Sequence, residues 1–291
     1  MKTVALVVHP SRAHAISTAQ DATGWLGANG HLVRVLNLRE PDAVLEDGKV
    51  MKLSEVDLDG VDLAVSLGGD GTFLRTVPLA WHADIPILGV NFGRLGYLLE
   101  VAPERLEDAL RMHFAGNSVI DERVVLSISA SSITEEPSRA GRVEIDWLAL
   151  NEMVLEKTVF GHTVRLTMSI DGEEFITYSS DGLLVATPTG STAYNLSAGG
   201  PVLSTGMEAL VVTPVAPHLS FDRSIVLERD QVVSVQVGEE RPAALVIDGY
   251  EVGRLMPGEE VSCRLAERRL RLVTMRMRGF GSTLRQTVVA R

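Results

Sequence analysis

The residues Gly68-Gly69-Asp70-Gly71-Thr72 follow directly on the apolar run Leu63 to Leu67. In an open α/β sheet, ligands bind beyond the carboxyl ends of the strands. Glycines there let backbone N–H groups approach phosphate oxygens, and the helix that follows adds its partial positive charge. An acid in the middle of such a loop repels phosphate. Asp70 therefore makes chemical sense facing a hydroxyl or a metal ion, or else as a plain helix cap in a tight turn. The loop is neither of two common nucleotide signatures. No Gly-Lys-Ser/Thr follows, so there is no P-loop lysine, and the G-x-G-x-x-G dinucleotide fingerprint is absent.

Two further clusters carry chemistry. The run from Asp181 to Asn195 is a short apolar strand, Leu183 to Ala186, leading into Thr187-Pro188-Thr189-Gly190-Ser191-Thr192-Ala193-Tyr194-Asn195. Hydroxyls and small residues at this density can bind a ribose or a phosphate without adding charge; they can also satisfy a turn of their own. Asn151-Glu152 sits between Leu150 and Met153. An adjacent amide and carboxylate can read a purine edge or a ribose diol, and can equally be a solvated strand face.

Elements must hold these groups in place. The first part of the chain alternates strands (Val4 to Val8, Leu32 to Leu38, Leu63 to Leu67, Ile85 to Val90) with helical segments (Ala15 to Ala28, about Phe73 to Trp81, Pro103 to Phe114). That order predicts a parallel sheet with helices on both faces over residues 1–116. The acidic stretch Arg39 to Gly60 reads as an irregular connection. From about Gly116 the pattern becomes period-two. Examples are Val124 to Ile128, Val143 to Leu150, Val164 to Ile170, Val232 to Val237, Ala243 to Ile247 and Leu270 to Thr274. Turn signals separate them at Asp171-Gly172, Gly238-Glu239 and Asp248-Gly249. This predicts a β-sandwich over 117–276, with Ser131 to Gly141 as a surface loop. Ser282 to Ala290 reads as a short helix, and the segment 277–291 can pack back on the first domain.

The chain has 291 residues and a net charge of −11, which disfavours a nucleic-acid partner. A polyanionic substrate then needs a few placed cations or a bound metal. One cysteine, Cys263, excludes an intrachain disulfide and a multi-cysteine zinc cluster, and reads as a small core residue. The seven histidines show no metal-like clustering. The amino-terminal run lacks the longer apolar region of a signal peptide, and no stretch is apolar enough to span a bilayer. The expectation is a cytoplasmic protein with no membrane partner.

Taken in order, these motifs resemble the NAD kinase family. GGDGT, then Asn91-Phe92-Gly93-Arg94-Leu95-Gly96-Tyr97-Leu98, then Asn151-Glu152, then Asp181 to Pro201 form the series, with Pro217-His218 and Arg223 resembling a later segment. GGDGT alone is shared with diacylglycerol and sphingosine kinases; the Thr187 to Tyr194 run is much more specific. The resemblance implies a Rossmann-like domain, a β-sandwich domain and a cleft between them. It implies phosphoryl transfer from ATP, or from polyphosphate in some relatives, to the adenosine ribose 2′-hydroxyl of NAD. It also implies a divalent cation, usually Mg²⁺, and a homo-oligomer, a dimer or a tetramer.

By the same resemblance Asp70 is the general base, with Gly68, Gly69, Gly71 and Thr72 beside it. Asn151, Glu152, His162, Asp181, Thr189, Thr192, Ala193, Tyr194, Asn195 and Ser197 match nucleotide-binding positions. Arg75, one helical turn past the loop, is either an assisting cation or a solvated arginine. Two positions depart from the pattern. Ser179 stands where some members carry a basic residue, and Tyr250 where some carry glutamine, so selectivity between NAD and NADH is open. A lipid kinase sharing GGDGT and a nucleotide sensor without catalysis are the competing readings.

Overall fold

The computed structural model describes residues 1–38, 42–44, 50–52, 58–93, 98–130, 145–218, 221–275 and 279–285. The chain forms two compact units. Met1–Glu122 and Leu270–Arg291 make the first, and Arg123–Arg269 the second. In chain order the elements are β1 (Thr3–Val8), α1 (Ala13–Ala28), β2 (Leu32–Leu38), β3 (Asp42–Val44), β4 (Val50–Lys52), β5 (Leu63–Gly68), α2 (Asp70–His82), β6 (Ile87–Asn91), α3 (Leu106–Phe114) and β7 (Val119–Arg123). The strands β8 (Leu126–Ala130), β9 (Ile145–Ala149), β10 (Glu152–Lys157), β11 (Val164–Ile170), β12 (Glu173–Ser180) and β13 (Gly182–Ala186) follow. Then come α4 (Tyr194–Ser197), β14 (Ala209–Val215), β15 (Ile225–Glu228), β16 (Val233–Val237), β17 (Ala243–Ile247), β18 (Tyr250–Leu255), β19 (Glu260–Leu265), β20 (Leu270–Thr274) and α5 (Phe280–Leu284).

The first unit is one sheet in the order β4-β3-β2-β1-β5-β6-β20-β7 with helices packed on it. β1 runs parallel to both β2 and β5, and β5 runs parallel to β6. Val4 to Val8 are almost wholly inaccessible, as expected of a strand covered on both faces. Against that face α1 lays Ala15, Ala19, Ala22 and Leu26, a stripe at helical spacing. The chain leaves β1 toward β2 on one side, and β5 joins β1 on the other. The loops after β1 and β5 therefore open at a topological switch point, where open α/β sheets bind ligands. His9 N–H bonds Leu67 C=O (3.0 Å) and ties the two loop bases together.

The second unit is a sandwich of two six-stranded sheets, β15-β14-β13-β10-β17-β18 and β12-β11-β16-β19-β8-β9. Its core takes alternate residues from both sheets: Met153, Leu155, Leu183, Val185 and Leu245 from one, Leu166, Met168, Tyr178, Val235 and Cys263 from the other. Cys263 is 1% exposed, and burial pushes its thiol pKa far up. The Asp-Gly signals form as read. Asp171 (φ 51°) and Gly172 (φ 82°) turn β11 into β12; Asp248 (φ 47°) and Gly249 (φ 84°) turn β17 into β18. Positive φ at both central residues is the type I′ hairpin, whose twist matches the strands it joins.

β3 (Asp42–Val44) and β4 (Val50–Lys52) lie inside the stretch expected to be an irregular connection, and β7 (Val119–Arg123), expected in the sandwich, joins the first sheet. Two further elements differ from the sequence reading. Leu270–Thr274, expected in the sandwich, is β20 and pairs in parallel with β6 in the first sheet (Leu272 opposite Ile87). Its pattern fits either sheet; what decides is a neighbour far away in sequence. The second difference is the start of α2, expected near Phe73 and found at Asp70. The surface loop expected over Ser131 to Gly141 lies outside the described residues, as do most of the Arg39 to Gly60 connection and residues 94–97. Among the described residues, no helix is long and apolar enough to cross a bilayer.

Candidate functional site

In the first unit the glycine loop closes tightly on itself. A Cβ on Gly68 would meet Thr72 Oγ1 at 2.2 Å and Thr72 Cβ at 2.5 Å. Only glycine lets the end of β5 and the first turn of α2 approach that closely. Gly69 occupies the N-cap position with extended backbone, and no side chain caps the helix there. Asp70 is thus the first helical residue rather than the cap, exposed at the positive end of a 13-residue helix. Phe73 N–H bonds Gly69 C=O (3.1 Å), and Thr76 Oγ1 donates to Thr72 C=O (2.8 Å), closing the first two turns. The Arg12 guanidinium lies against Gly69, 3.5 Å from where a Cβ would stand. Arg75 is half-buried on the same helix.

In the second unit the hydroxyl-rich loop and the turn at Asn151 are built against each other. A Cβ on Gly190 would fall 2.0 Å from Asn151 C=O. Thr187 N–H bonds Asn151 C=O (2.9 Å), and Thr187 Oγ1 donates to Leu150 C=O (2.5 Å) while accepting from Gly190 N–H (3.0 Å). Thr192 Oγ1 donates to Thr189 C=O (3.1 Å), and Arg123, the first residue of this unit, donates to Thr189 Oγ1 (3.3 Å). Asn195 is wholly buried. Its amide donates to Ser191 C=O (3.1 Å) and Pro201 C=O (2.9 Å), and its oxygen accepts from Thr213 Oγ1 (2.7 Å). That side chain holds the loop in shape. Ala193 and Tyr194 lead into α4, and Ser197 is exposed at its end.

Glu152 is the unusual member. It is 6% exposed, and its Oε2 has no hydrogen-bond partner. Burial first, then the neighbouring Asp248 carboxylate, push its pKa up to about 8, with the Tyr194 N–H pulling the other way. Near neutrality Glu152 is a protonated acid, able to donate as well as accept. Asp181 instead forms an ion pair with Lys157 (2.6 Å), both partly exposed. The Tyr194 hydroxyl donates to Glu156; burial and that carboxylate raise its pKa. His162 sits exposed in the turn between β10 and β11, its backbone N–H directed at Val159 C=O (3.4 Å).

Comparison with known proteins gives the family of the chain. The N-terminal domain model of ATP-NAD kinase matches residues 4–117, and the C-terminal domain model of ATP-NAD kinase matches residues 150–275. NAD kinase 1 of Streptomyces avermitilis is 37% identical over 97% of this chain and 86% of its own length. The NAD kinase of Koribacter versatilis is 36% identical over 96% and 95%. The chain belongs to the ATP-NAD kinase family. Its fold is that of yeast NADH kinase solved with NADH (TM-score 0.80, 23% identity, 100% of this chain and 88% of that one). An Archaeoglobus fulgidus NAD kinase solved with ATP gives a TM-score of 0.70 at 23% identity, over 98% and 99% of the two chains.

Within this ATP-NAD kinase family member, the residues read from sequence fall into two arrays. The first unit gathers Gly68, Gly69, Asp70, Gly71 and Thr72. The second gathers Asn151, Glu152, Thr189 and the residues from Thr192 to Asn195, with Asp181 held by Lys157 at the foot of β13. Sequence reading missed Arg12, Lys157 and Asp248. Arg12 stands after β1 with no pattern around it, and Asp248 looked like ordinary turn chemistry. Ser179 hydrogen-bonds Thr163 (2.8 Å, hydroxyl to hydroxyl), and Tyr250 begins β18 opposite Ile247. Among the described residues no three His, Cys, Asp or Glu side chains converge to hold a metal ion. A Mg²⁺ that arrives on substrate phosphates and keeps its waters needs no such cluster.

Proposed function

We propose that the chain transfers the γ-phosphoryl group of magnesium-bound ATP to the adenosine ribose 2′-hydroxyl of NAD, giving NADP and ADP. Membership of the ATP-NAD kinase family, with both domain models matched in order along the chain, carries this reading. The site chemistry agrees with it. Asp70, at the first position of α2, accepts a hydrogen bond from the 2′-hydroxyl and aims that oxygen at the γ-phosphorus. The bond from the 2′-oxygen to phosphorus forms as the bridging oxygen leaves with ADP, and the hydroxyl proton passes to the Asp70 carboxylate. Such a loose transition state asks little covalent chemistry of the protein, so positioning and charge do most of the work. The N–H groups at the helix start and the Arg12 guanidinium beside Gly69 offset phosphate charge that an acidic chain cannot otherwise meet.

The second array takes the dinucleotide. Asn151, Thr189 and the backbone from Thr192 to Tyr194 offer donors and acceptors to an adenosine, and the unpartnered Glu152 oxygen needs one more polar group. The reading places the enzyme in the cytoplasm, where NAD and ATP meet. It also includes self-association into two or four copies, supported by half-exposed Phe175 and Phe221 in edge-to-face contact on the second unit. The test is a coupled assay. Purified protein is supplied with ATP, Mg²⁺ and NAD, and NADP is detected through an NADP-specific dehydrogenase. NADP formation is expected, and repeats with polyphosphate and with NADH define donor and acceptor. Phosphorylation of a diacylglycerol or a sphingoid base without NADP would establish the lipid-kinase alternative. Nucleotide binding without turnover would establish a sensor.

A further inference from the structure

Asp248 has no place in the chemistry above, yet it is 9% exposed and its carboxylate is fully engaged. Oδ2 accepts from Leu150 N–H (2.8 Å), and Oδ1 accepts from both Asn151 N–H (2.8 Å) and Glu152 N–H (3.1 Å). Three successive backbone donors converge on one side chain that lies about a hundred residues further along the chain. Asp248 can reach them because it occupies the first central position of the β17–β18 hairpin, where its positive φ turns the side chain out of the strand. From the opposite side, Thr187 donates to the carbonyls of both Leu150 and Asn151, and Gly190 packs closely against the latter. The turn carrying Asn151 and Glu152 is therefore clamped by its N–H groups to the hairpin and by its C=O groups to the hydroxyl-rich loop.

We infer that Asp248 is a positioning residue for the acceptor nucleotide: through three backbone hydrogen bonds it fixes the Leu150–Glu152 turn, and so sets where the Asn151 and Glu152 side chains meet NAD. This rests on the reading that Asn151 and Glu152 contact NAD. Asp248 touches neither phosphoryl donor nor reacting oxygen in this scheme. Its loss changes recognition of the acceptor before it changes the chemical step. A second effect accompanies the first. Glu152 faces the Asp248 carboxylate from the hairpin and the Tyr194 N–H from α4, with the Tyr194 phenol and Glu156 farther along the same face. Removing the Asp248 charge makes Glu152 a stronger acid.

Asp248→Asn is the decisive variant, because Asn-Gly is itself a favoured type I′ pair and keeps the hairpin. Its amide can still accept from Asn151 and Glu152 but presents N–H groups to Leu150 N–H, so one bond becomes a clash. The expected result is a KM for NAD raised roughly tenfold, with KM for ATP unchanged and kcat reduced by a smaller factor. The alkaline limb of the NAD KM profile is also expected to move to lower pH, which a merely structural role does not produce. Thr187→Val loosens the same turn from its other side and serves if Asp248→Asn does not fold; it too is expected to raise KM for NAD selectively. An unchanged KM for NAD in the folded variant, or a loss confined to kcat, overturns the inference. Asn151→Ala and Glu152→Gln are run beside them. If these leave KM for NAD untouched, the site reading itself fails and the inference falls with it; if they raise it while Asp248→Asn does not, only the inference fails.

Discussion

Replacing Asp70 by asparagine keeps the size of the side chain and removes the charge that orients the acceptor hydroxyl. Loss of a general base or orienting carboxylate typically costs 10²–10⁴ in rate. Asp70→Asn is thus expected to lower kcat by roughly that factor with a smaller change in KM for NAD, read from initial rates; near-normal turnover would refute the role. Glu152 makes a different kind of prediction. Its pKa in the folded protein, about 8, stands above the ordinary value of 4.5 in the unfolded chain. Between those values the native state holds a proton that the unfolded state releases, so stability is full below about pH 4.5 and falls as pH rises toward 8. Glu152→Gln removes the penalty. Its melting temperature is expected to match wild type near pH 4.5 and to exceed it by several degrees at pH 8, on a scale of roughly 2–4 °C per kcal/mol. An equal difference at both pH values, seen by calorimetry, would show that Glu152 does not titrate as the buried acid described.

At the scale of elements, close approach decides which residues are tolerated. A methyl group on Gly190 would sit 2.0 Å from Asn151 C=O, a backbone atom that cannot swing away. Gly190→Ala is expected to destabilise the second unit by about 1–3 kcal/mol in urea unfolding and to raise KM for NAD more than KM for ATP. Normal stability would mean that the loop and the turn can part without cost. These contacts also show where sequence reading reached its limit. The strand–loop–helix order, both Asp-Gly hairpins, the strand spans Leu32–Leu38, Val164–Ile170 and Ala243–Ile247, and the three chemical motifs were all legible, because each is local. The early start of α2 was not: Gly69-Asp70-Gly71 reads as a turn until Gly68 is seen packed against Thr72. Nor was the engagement of Asp248, whose partners lie at the start of the adjacent strand β10, about a hundred residues earlier in the chain. The fully buried, fully bonded Asn195 side chain sits in a run whose composition signals ligand contact, and its use as a brace depends on Thr213 and Pro201.

For the whole molecule, β20 is an element that sequence reading placed in the wrong sheet and topology explains. Period-two hydrophobicity identifies a strand but not its sheet, and β20 finds β6, whose residues lie more than 180 positions earlier. A chain ending at residue 122 leaves β6 without that neighbour, an unpaired edge prone to aggregation. Such a fragment is expected to be poorly soluble and to melt without cooperativity, whereas residues 123–269 keep every strand of both sandwich sheets and are expected to unfold in one transition. A cooperative melt from the shorter fragment would show β20 to be dispensable. The lone sulfhydryl adds a practical consequence. Because Cys263 lies at the centre of the sandwich and nowhere else does the chain offer a thiol, an alkylating reagent marks only molecules in which that layer has come apart. Timed labelling followed by mass measurement thus becomes a stopwatch for the opening of one half of the protein, indifferent to whatever the other half is doing.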